Sequence, residues 1–344
     1  MSRMPAPHQY VERNSGHICD EELYWDGAIR FLYSSVRERA PLIFSALTSR
    51  RMSSVLGFLN YELFVSSRLT GSHRLLHACG IDASECVADP ASLDTLTKIF
   101  ERKIRYWECR PMPADETLVV SPADSRVVCG SLADTSLLHV KGKFFELEEL
   151  LGERHGGQQG RFANADWAVF RLTPEKYHYS HVAVAGVVAD FYEVEGANHS
   201  CNPSAVVEVA TPYSKNRRTV TLIDTDVPLG RRVGMVAMIE VAALMIGGIV
   251  QCYSKNRYES PCSIERGMFL ERGAPKSRYR PGGSTDILLF EEGRIRFRED
   301  LLRNQLRKDV KSRFSTGFAL PLVETDVRVR SAIAERIAIA ERIV

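Results

Sequence analysis

Arg280-Pro281-Gly282-Gly283-Ser284-Thr285-Asp286, followed directly by Ile287-Leu288-Leu289-Phe290, is the stretch on which the reading of this chain turns. A Pro-Gly-Gly-Ser run before four apolar residues predicts a turn that feeds a buried strand. The same residues suit a reaction of the backbone with itself. Gly283 has no side chain, so its carbonyl is open to the hydroxyl of Ser284, and glycine tolerates the dihedrals that such an approach needs. Taken alone, the tetrapeptide is compatible with an ordinary turn and with a self-reacting peptide bond.

Two stretches upstream bear on that choice. Tyr177-His178-Tyr179-Ser180-His181-Val182 supplies two histidines, and Ser121-Pro122-Ala123-Asp124-Ser125-Arg126-Val127 supplies an aspartate. With Ser284 they run in the order Asp, His, Ser. A hydroxyl needs a base to become a nucleophile, and the base needs a carboxylate to hold its tautomer. His178 and His181 are an odd number of residues apart, so on a strand they face opposite sides, whereas in a turn they converge. Asp124 after Pro-Ala also reads as a turn residue. The His178-x-x-His181 spacing raises a metal site, but no third ligand motif lies nearby, and no metal is expected.

The pattern of the chain changes at about residue 114. Residues 1–20 are polar and read as a disordered lead. Residues 21–113 read as helical, with Ile29, Leu32 and Val36, then Leu47, Val55 and Leu59, at helical spacing. A further helix is expected at 93–107, before a linker marked by Pro111 and Pro113. Residues 114–344 read as short strands with turn signals, at 118–120, 126–128, 137–140, 182–188, 206–209 and 219–223. A glycine-rich mobile loop is expected at 152–160, a short basic helix or charged connection at 299–314 and a closing strand at 324–327. The expected fold is α+β, an N-terminal helical region on a mostly antiparallel β catalytic domain.

At 344 residues the chain can bury a large core. Its 45 basic and 43 acidic residues nearly balance, which gives no case for nucleic acid as a partner. Eight cysteines without a C-x-x-C pair fit free thiols in a reducing cytoplasm. No apolar signal-peptide core is seen near the N-terminus. The run 233–250 is long enough to raise a membrane span, but Glu240 interrupts it. Its β-branched residues and Gly247-Gly248 point to two buried strands instead. Arg30, Arg37, Arg39, Arg50 and Arg51 accompany Phe31, Leu32, Phe44, Leu47, Phe58 and Leu59. This set suits either an anionic lipid surface or packing on the β domain with solvated arginines. The expected location is therefore cytoplasmic, with a peripheral position on the inner face of a membrane left open.

Four blocks together resemble the phosphatidylserine decarboxylase family. They are Pro122-Ala123-Asp124, His178-x-x-His181, Tyr213-x-x-Asn216-x-Arg218, and Gly267-Met268-Phe269 leading to Gly282-Gly283-Ser284-Thr285. They stand in the family's order, and the resemblance runs from Leu118 to the C-terminus. It implies a self-processing carboxy-lyase. The bond between Gly283 and Ser284 breaks, and Ser284 becomes a covalent pyruvoyl group. By motif position, Asp124 and His181 activate Ser284 for the cut, and His178 acts in decarboxylation. The implied partners are the substrate, the β and α fragments of the same chain, and a second copy in a homodimer.

The implied reaction is decarboxylation of phosphatidylserine, an anionic phospholipid, to phosphatidylethanolamine. The alternative is a soluble relative acting on a free amino acid, aromatic ones such as tryptophan included. A Ser-His-Asp hydrolase that uses Ser284 uncleaved lacks the G-x-S-x-G elbow. A membrane-binding module without catalysis has no use for Ser284. Three positions depart from the family. Gly282 stands where many members have leucine, Ser125 where glycine is usual, and Arg217 where an acidic residue is common. The last reverses a charge and bears on head-group specificity, not on reaction type.

Overall fold

The computed structural model describes residues 7–23, 26–49, 76, 80–133, 144–152, 157–244, 248–282 and 284–338. The expected strand at 137–140, the residues Arg50, Arg51, Val55, Phe58 and Leu59, part of the glycine-rich loop, and Gly283 lie outside the described residues.

Apolar residues at alternate positions build most of the chain into strands. In order they are β1 (Gln9–Glu12), β2 (Ile18–Asp20), β3 (Leu118–Val120), β4 (Ser125–Ser131), β5 (Asp166–Leu172) and β6 (Tyr179–His181). There follow β7 (Gly186–Val194), β8 (Arg218–Asp224), β9 (Met235–Ala242), β10 (Ile249–Gln251) and β11 (Phe269–Leu270). The last are β12 (Pro275–Tyr279), β13 (Ser284–Phe290), β14 (Ile295–Phe297), β15 (Thr325–Val327) and β16 (Ala332–Arg336). A ten-stranded sheet runs β11-β7-β8-β9-β13-β5-β4-β15-β1-β2, and two three-stranded sheets run β10-β12-β6 and β14-β16-β3. The β1–β15 pair is parallel, and the other strand pairings are antiparallel. With short helices beside these sheets, the class is α+β, as the sequence suggests.

Strand β13 is buried along its whole length because both faces of the sheet are covered. Ile287 and Leu289 join a core with Trp167, Val169 and Ile239. Leu288 and Phe290 join a second core with Phe170, Val236, Met238, Val182 and Val184. Each such side chain contributes about 1.5–3 kcal/mol of burial.

The structure differs from the sequence reading in several elements. The supposed disordered lead contains the β1–β2 hairpin, closed by a turn in which Gly16 has φ +71°. Its short Tyr10-Val11 core signal is legible only beside the strand it pairs with. Residues 206–209 were expected as strand, yet Pro203–Glu208 is a helix. Asn202 caps it by accepting from the Ser204 amide at 2.9 Å, with Pro203 in the first turn. The helix expected at 93–107 is two short ones, Leu96–Phe100 and Tyr106–Cys109. The run 233–250 contains β9 and β10, and among the described residues no helix is long and apolar enough to cross a membrane. Phe44, one of the residues considered for lipid contact, is buried against Tyr33 and His199, with ring centroids 5.2 and 5.9 Å away.

The hairpin is bolted down by charge. Arg171 of β5 donates to buried Glu324 at 2.9 Å and 2.5 Å and to half-buried Glu21 at 2.8 and 2.6 Å. His8 stands 2.8 Å from Glu324, and Arg126 of β4 pairs with Glu21. Burial alone pushes both carboxyls up, but the charge and hydrogen bonds of Arg171 outweigh it and hold them below the usual carboxylate range. Depressed carboxyls stabilise the fold above their unfolded titration range, and that contribution drains away as pH falls through the folded values. Arg171→Ala, which leaves two carboxylates buried and short of a partner, is expected to cost about 3–5 kcal/mol in urea unfolding at neutral pH. The deficit should shrink in acid as the carboxyls protonate.

Candidate active site

Ser284 opens β13 in the interior of the large sheet, opposite Leu172 on β5 and Ala242 on β9. It is completely buried, and its Oγ has no hydrogen-bond partner among the described residues. Gly282, just before it, has φ +141°, a backbone that residues with a Cβ rarely adopt. A glycine at position 282 therefore suits the path of the chain here.

Side chains alternate along a strand, so Ser284 and Asp286 share the face of Leu288 and Phe290. The segment 177–181 reaches this face through Ser180, whose Oγ donates to Asp286 Oδ2 at 3.0 Å. His178, two residues before Ser180, takes the same side of that segment. Its ring stacks on Phe100 with centroids 3.5 Å apart. Both ring nitrogens are buried without a hydrogen-bond partner among the described residues. Burial first, and the charge of Arg102 second, push its pKa well down, so the imidazole is neutral at physiological pH.

His181 faces the other way, into an aromatic cluster of Tyr106, Tyr177, Tyr179 and Tyr258. Its Nδ1 lies 2.9 Å from the Gly273 carbonyl and its Nε2 lies 3.0 Å from Tyr177 Oη. A carbonyl only accepts, so this geometry assigns the proton to Nδ1 and leaves Nε2 as an acceptor. Burial lowers the pKa of His181 to about 3.

Asp124 is held by Arg110, whose Nε donates at 3.0 Å and whose Nη2 donates at 2.7 Å. The Val329 amide donates to it at 2.8 Å. Burial raises its pKa, but the charge and hydrogen bonds of Arg110 outweigh burial and keep the carboxyl ionised. Arg110 also pairs with Glu85 at 2.7 Å. The two blocks meet through the backbone, since the His181 amide donates to the Pro122 carbonyl at 2.7 Å. No hydrogen bond joins Asp124 to His181, or either histidine to Ser284, among the described residues. What the fold does bring together is the His178–Ser180 side of one segment and the strand headed by Ser284.

The other two blocks hold the frame. Tyr213 is buried and stacks on Phe144 at 5.8 Å. Asn216 grips the backbone of His199 from both sides, at 2.6 and 2.9 Å. His199 in turn accepts the Leu244 amide at 3.2 Å, two residues beyond the partner of Ser284 on β9. Arg218 donates to the Leu150 and Asn216 carbonyls at 2.7 Å each. Arg217 pairs with Glu193 at 3.3 Å. Gly267 takes φ +89° and leads into β11 at the sheet edge.

Sequence reading passed over a buried polar cluster beside Ser284. Asp286 accepts from Tyr279 Oη at 2.6 Å, Lys276 Nζ pairs with Glu240 at 2.7 Å, and Gln251 bridges both at 3.0 and 3.1 Å. Its signal is the presence of single acids, Glu240 and Asp286, inside otherwise apolar strands. Among the described residues, only His8, Glu21 and Glu324 gather potential metal-ligand atoms within 4.8 Å of one another. Those donors are already committed to Arg171 and Arg126.

Comparison with known proteins agrees with the blocks. The family model for phosphatidylserine decarboxylase matches residues 96–315. The phosphatidylserine decarboxylase proenzyme of Fusobacterium nucleatum is 25% identical over 310 residues, covering 90% of this chain and 95% of that protein. That of Chlamydia trachomatis serovar D is 27% identical over 332 residues, covering 95% and 97%. Phosphatidylserine decarboxylase proenzyme 3 of Schizosaccharomyces pombe is 27% identical over 301 residues, 86% of this chain but 29% of that longer protein. A match across more than half of the chain, with the four blocks in order, is conclusive at this level: the chain belongs to the phosphatidylserine decarboxylase family.

Proposed function

We propose that the chain cuts itself between Gly283 and Ser284 and, with the pyruvoyl group so formed, decarboxylates phosphatidylserine to phosphatidylethanolamine. The observation that carries this reading is the hydroxyl of Ser284, buried at the head of a central strand without a partner among the described residues. Leaving such a group unpaired costs about 1–3 kcal/mol, a cost that a reacting group explains and a turn residue does not. Relatives named phosphatidylserine decarboxylase proenzyme support both the lipid substrate and maturation from a precursor.

The self-cut balances without outside reagents other than water. Ser284 Oγ attacks the Gly283 carbonyl carbon, the Gly283–Ser284 C–N bond breaks, and an ester forms. Loss of the Ser284 α-proton expels the Gly283 carboxylate and leaves dehydroalanine. Tautomerisation and hydrolysis release ammonia and leave the pyruvoyl ketone. That ketone supplies the electron sink for decarboxylation. His178, neutral, unpartnered and on the Ser180 side, is suited to hold a proton for the substrate carbon. Asp124 and His181 are assigned to activation of Ser284. His181 offers Nε2 as acceptor, and since its ring faces away from Ser284, its part in the cut requires it to leave Tyr177 Oη and turn to the Ser284 side.

Mass spectrometry of the purified protein is expected to find fragments 1–283 and 284–344, with the smaller one resistant to Edman sequencing for want of an amine. Ser284→Ala should remain one chain. The fragments should co-elute until denaturant is added. β13 is hydrogen-bonded between β5 and β9, and β15 between β4 and β1, so the small fragment is threaded through the sheet. An intact chain in fully active protein rules the reading out.

Variants separate the two stages. His181→Ala and Asp124→Asn should accumulate uncut chain. His178→Ala should still cut but lose about 10²–10⁴-fold in decarboxylation. Uncut His178→Ala beside normally cut His181→Ala reverses the assignment.

Substrate and surface are tested together. Phe31, Leu42 and Ile43 are exposed near the exposed cations Arg30 and Arg39, which supports peripheral contact with anionic lipid. Leu42→Ser with Ile43→Ser should lower CO2 release from phosphatidylserine vesicles more than from a short-chain soluble analogue. Salt should weaken vesicle binding. Turnover of a free amino acid such as tryptophan, with none of the phospholipid, removes the lipid assignment and leaves the Ser284 chemistry standing.

A further inference from the structure

Residues 280–283 join β12 to β13, so Tyr279 is the last residue of one arm and Ser284 the first of the other. Asp286 lies on the second arm, and Tyr279 Oη donates to its Oδ1 at 2.6 Å. The same hydroxyl lies 3.1 Å from the Thr285 carbonyl. Oδ2 of Asp286 takes the third element, accepting from Ser180 Oγ at 3.0 Å. That element is tied to the first arm as well, since the Tyr279 amide donates to the His178 carbonyl at 3.0 Å. One buried carboxyl therefore joins both arms around the Gly283–Ser284 bond to the segment bearing His178.

We propose that Asp286 is a positioning residue for the chemistry at Ser284, clamping the two arms of the reactive stretch to the His178 segment and serving the cut best while its carboxyl carries a proton. The inference rests on the self-processing reading above. It adds a residue that the motif blocks do not contain.

The charge balance explains the proton. Glu240 on β9 is the cross-strand neighbour of Asp286, and Lys276 on β12 pairs with Glu240 at 2.7 Å. β5 presents apolar Phe170 opposite Asp286, and Tyr279 and Ser180 supply hydroxyls. Lys276 thus balances one carboxylate, and ionising Asp286 leaves a net negative charge in a dry interior. Burial, and secondarily the Glu240 charge, push the Asp286 pKa up to about 7. Two residues along a strand span about 6.6 Å. An anion at that distance opposes the negative charge that builds on the Gly283 carbonyl oxygen and at Ser284 Cα. His178 and His181 are neutral throughout the neutral range, the latter with a pKa of about 3. Asp166, raised to about 6, lies at the far end of β13 opposite Phe290.

The full-length chain is made in a cell-free system, translation is stopped, and samples are shifted to buffers from about pH 6 to 8.5, a span that brackets the Asp286 transition. Cutting is followed on a denaturing gel. The wild-type rate should fall roughly 50- to 100-fold as pH rises through the Asp286 transition, the size expected for one full charge at about 6.6 Å in a protein interior. Asp286→Asn keeps the shape and the neutral state, so it should cut at the acid-side rate with a flat profile. Asp286→Val, which strands the Tyr279 and Ser180 hydroxyls, should cut slowly at every pH while circular dichroism shows a folded chain. If Asp286→Val does not fold, the Asn profile alone decides. An Asn variant with the wild-type pH profile, or a folded Val variant cutting at the wild-type rate, overturns the inference and leaves the self-cut intact. A wild-type chain that is never cut overturns the reading beneath it, and this inference with it.

Discussion

Strand β13 is hydrogen-bonded on both edges along its whole length, from Ser284 opposite Leu172 and Ala242 to Phe290 opposite Asp166 and Val236. The rest of the arrangement depends on that register. Alternation sends Ile287 and Leu289 into one core and Leu288 and Phe290 into the other. A slip by one residue would exchange the two faces and turn Ser284 and Asp286 away from the His178–Ser180 segment. Hydrophobic packing over the four apolar residues therefore aims a hydroxyl at the head of the same strand. Sites carried on rigid strands hold geometry better than sites on loops.

Charge is handled differently on the two sides of this strand. Carboxylates around the strand that carries the reacting bond are paired with cations, as Asp124 is with Arg110, Glu21 and Glu324 are with Arg171, and Glu240 is with Lys276. The groups nearest it are kept neutral by burial, as in His178, Tyr279 and the protonated form of Asp286. An interior without net negative charge favours an acyl shift, because the one adjacent carboxylate, Glu240, is balanced by Lys276. It also favours an imidazole that can accept a proton over one already carrying it.

Much of this was legible in sequence. The Gly-Gly-Ser-Thr stretch and its apolar tail announce a turn and strand, and β13 begins at Ser284. The α+β class, β3, β8, β15 and the split of 233–250 into two strands also follow from local pattern. The hairpin at the N-terminus did not, because Val11 is buried only through β15, hundreds of residues away. The helix Pro203–Glu208 was lost to β-branched Val206 and Val207, although Asn202-Pro203 carried the opposing signal. Asp124 and both histidines were singled out by motif order, but partners such as Arg110, Tyr177 and Phe100 depend on tertiary placement that no spacing encodes. For the histidines the sequence leaves opposite facing on a strand or convergence in a turn, and the extended segment at Tyr179–His181 selects the first.

Parity also bears on how one fold serves two reactions in sequence. The precursor needs a base at the Ser284 hydroxyl, and the mature protein needs a proton carrier at a substrate carbon in nearly the same place. Two histidines on opposite faces of one segment meet different surroundings: His181 among tyrosine hydroxyls with a fixed tautomer, His178 against Phe100 with both nitrogens open. The segment is anchored independently of the bond to be cut, through the Pro122 carbonyl at His181 and the Tyr279 amide at His178. Breaking the chain before Ser284 removes neither of those anchors, and the pairings of β13 from Thr285 to Phe290 do not use the Ser284 nitrogen that leaves as ammonia. The scaffold that positions the precursor is therefore still standing when the new end appears, and the second reaction inherits its geometry from the first.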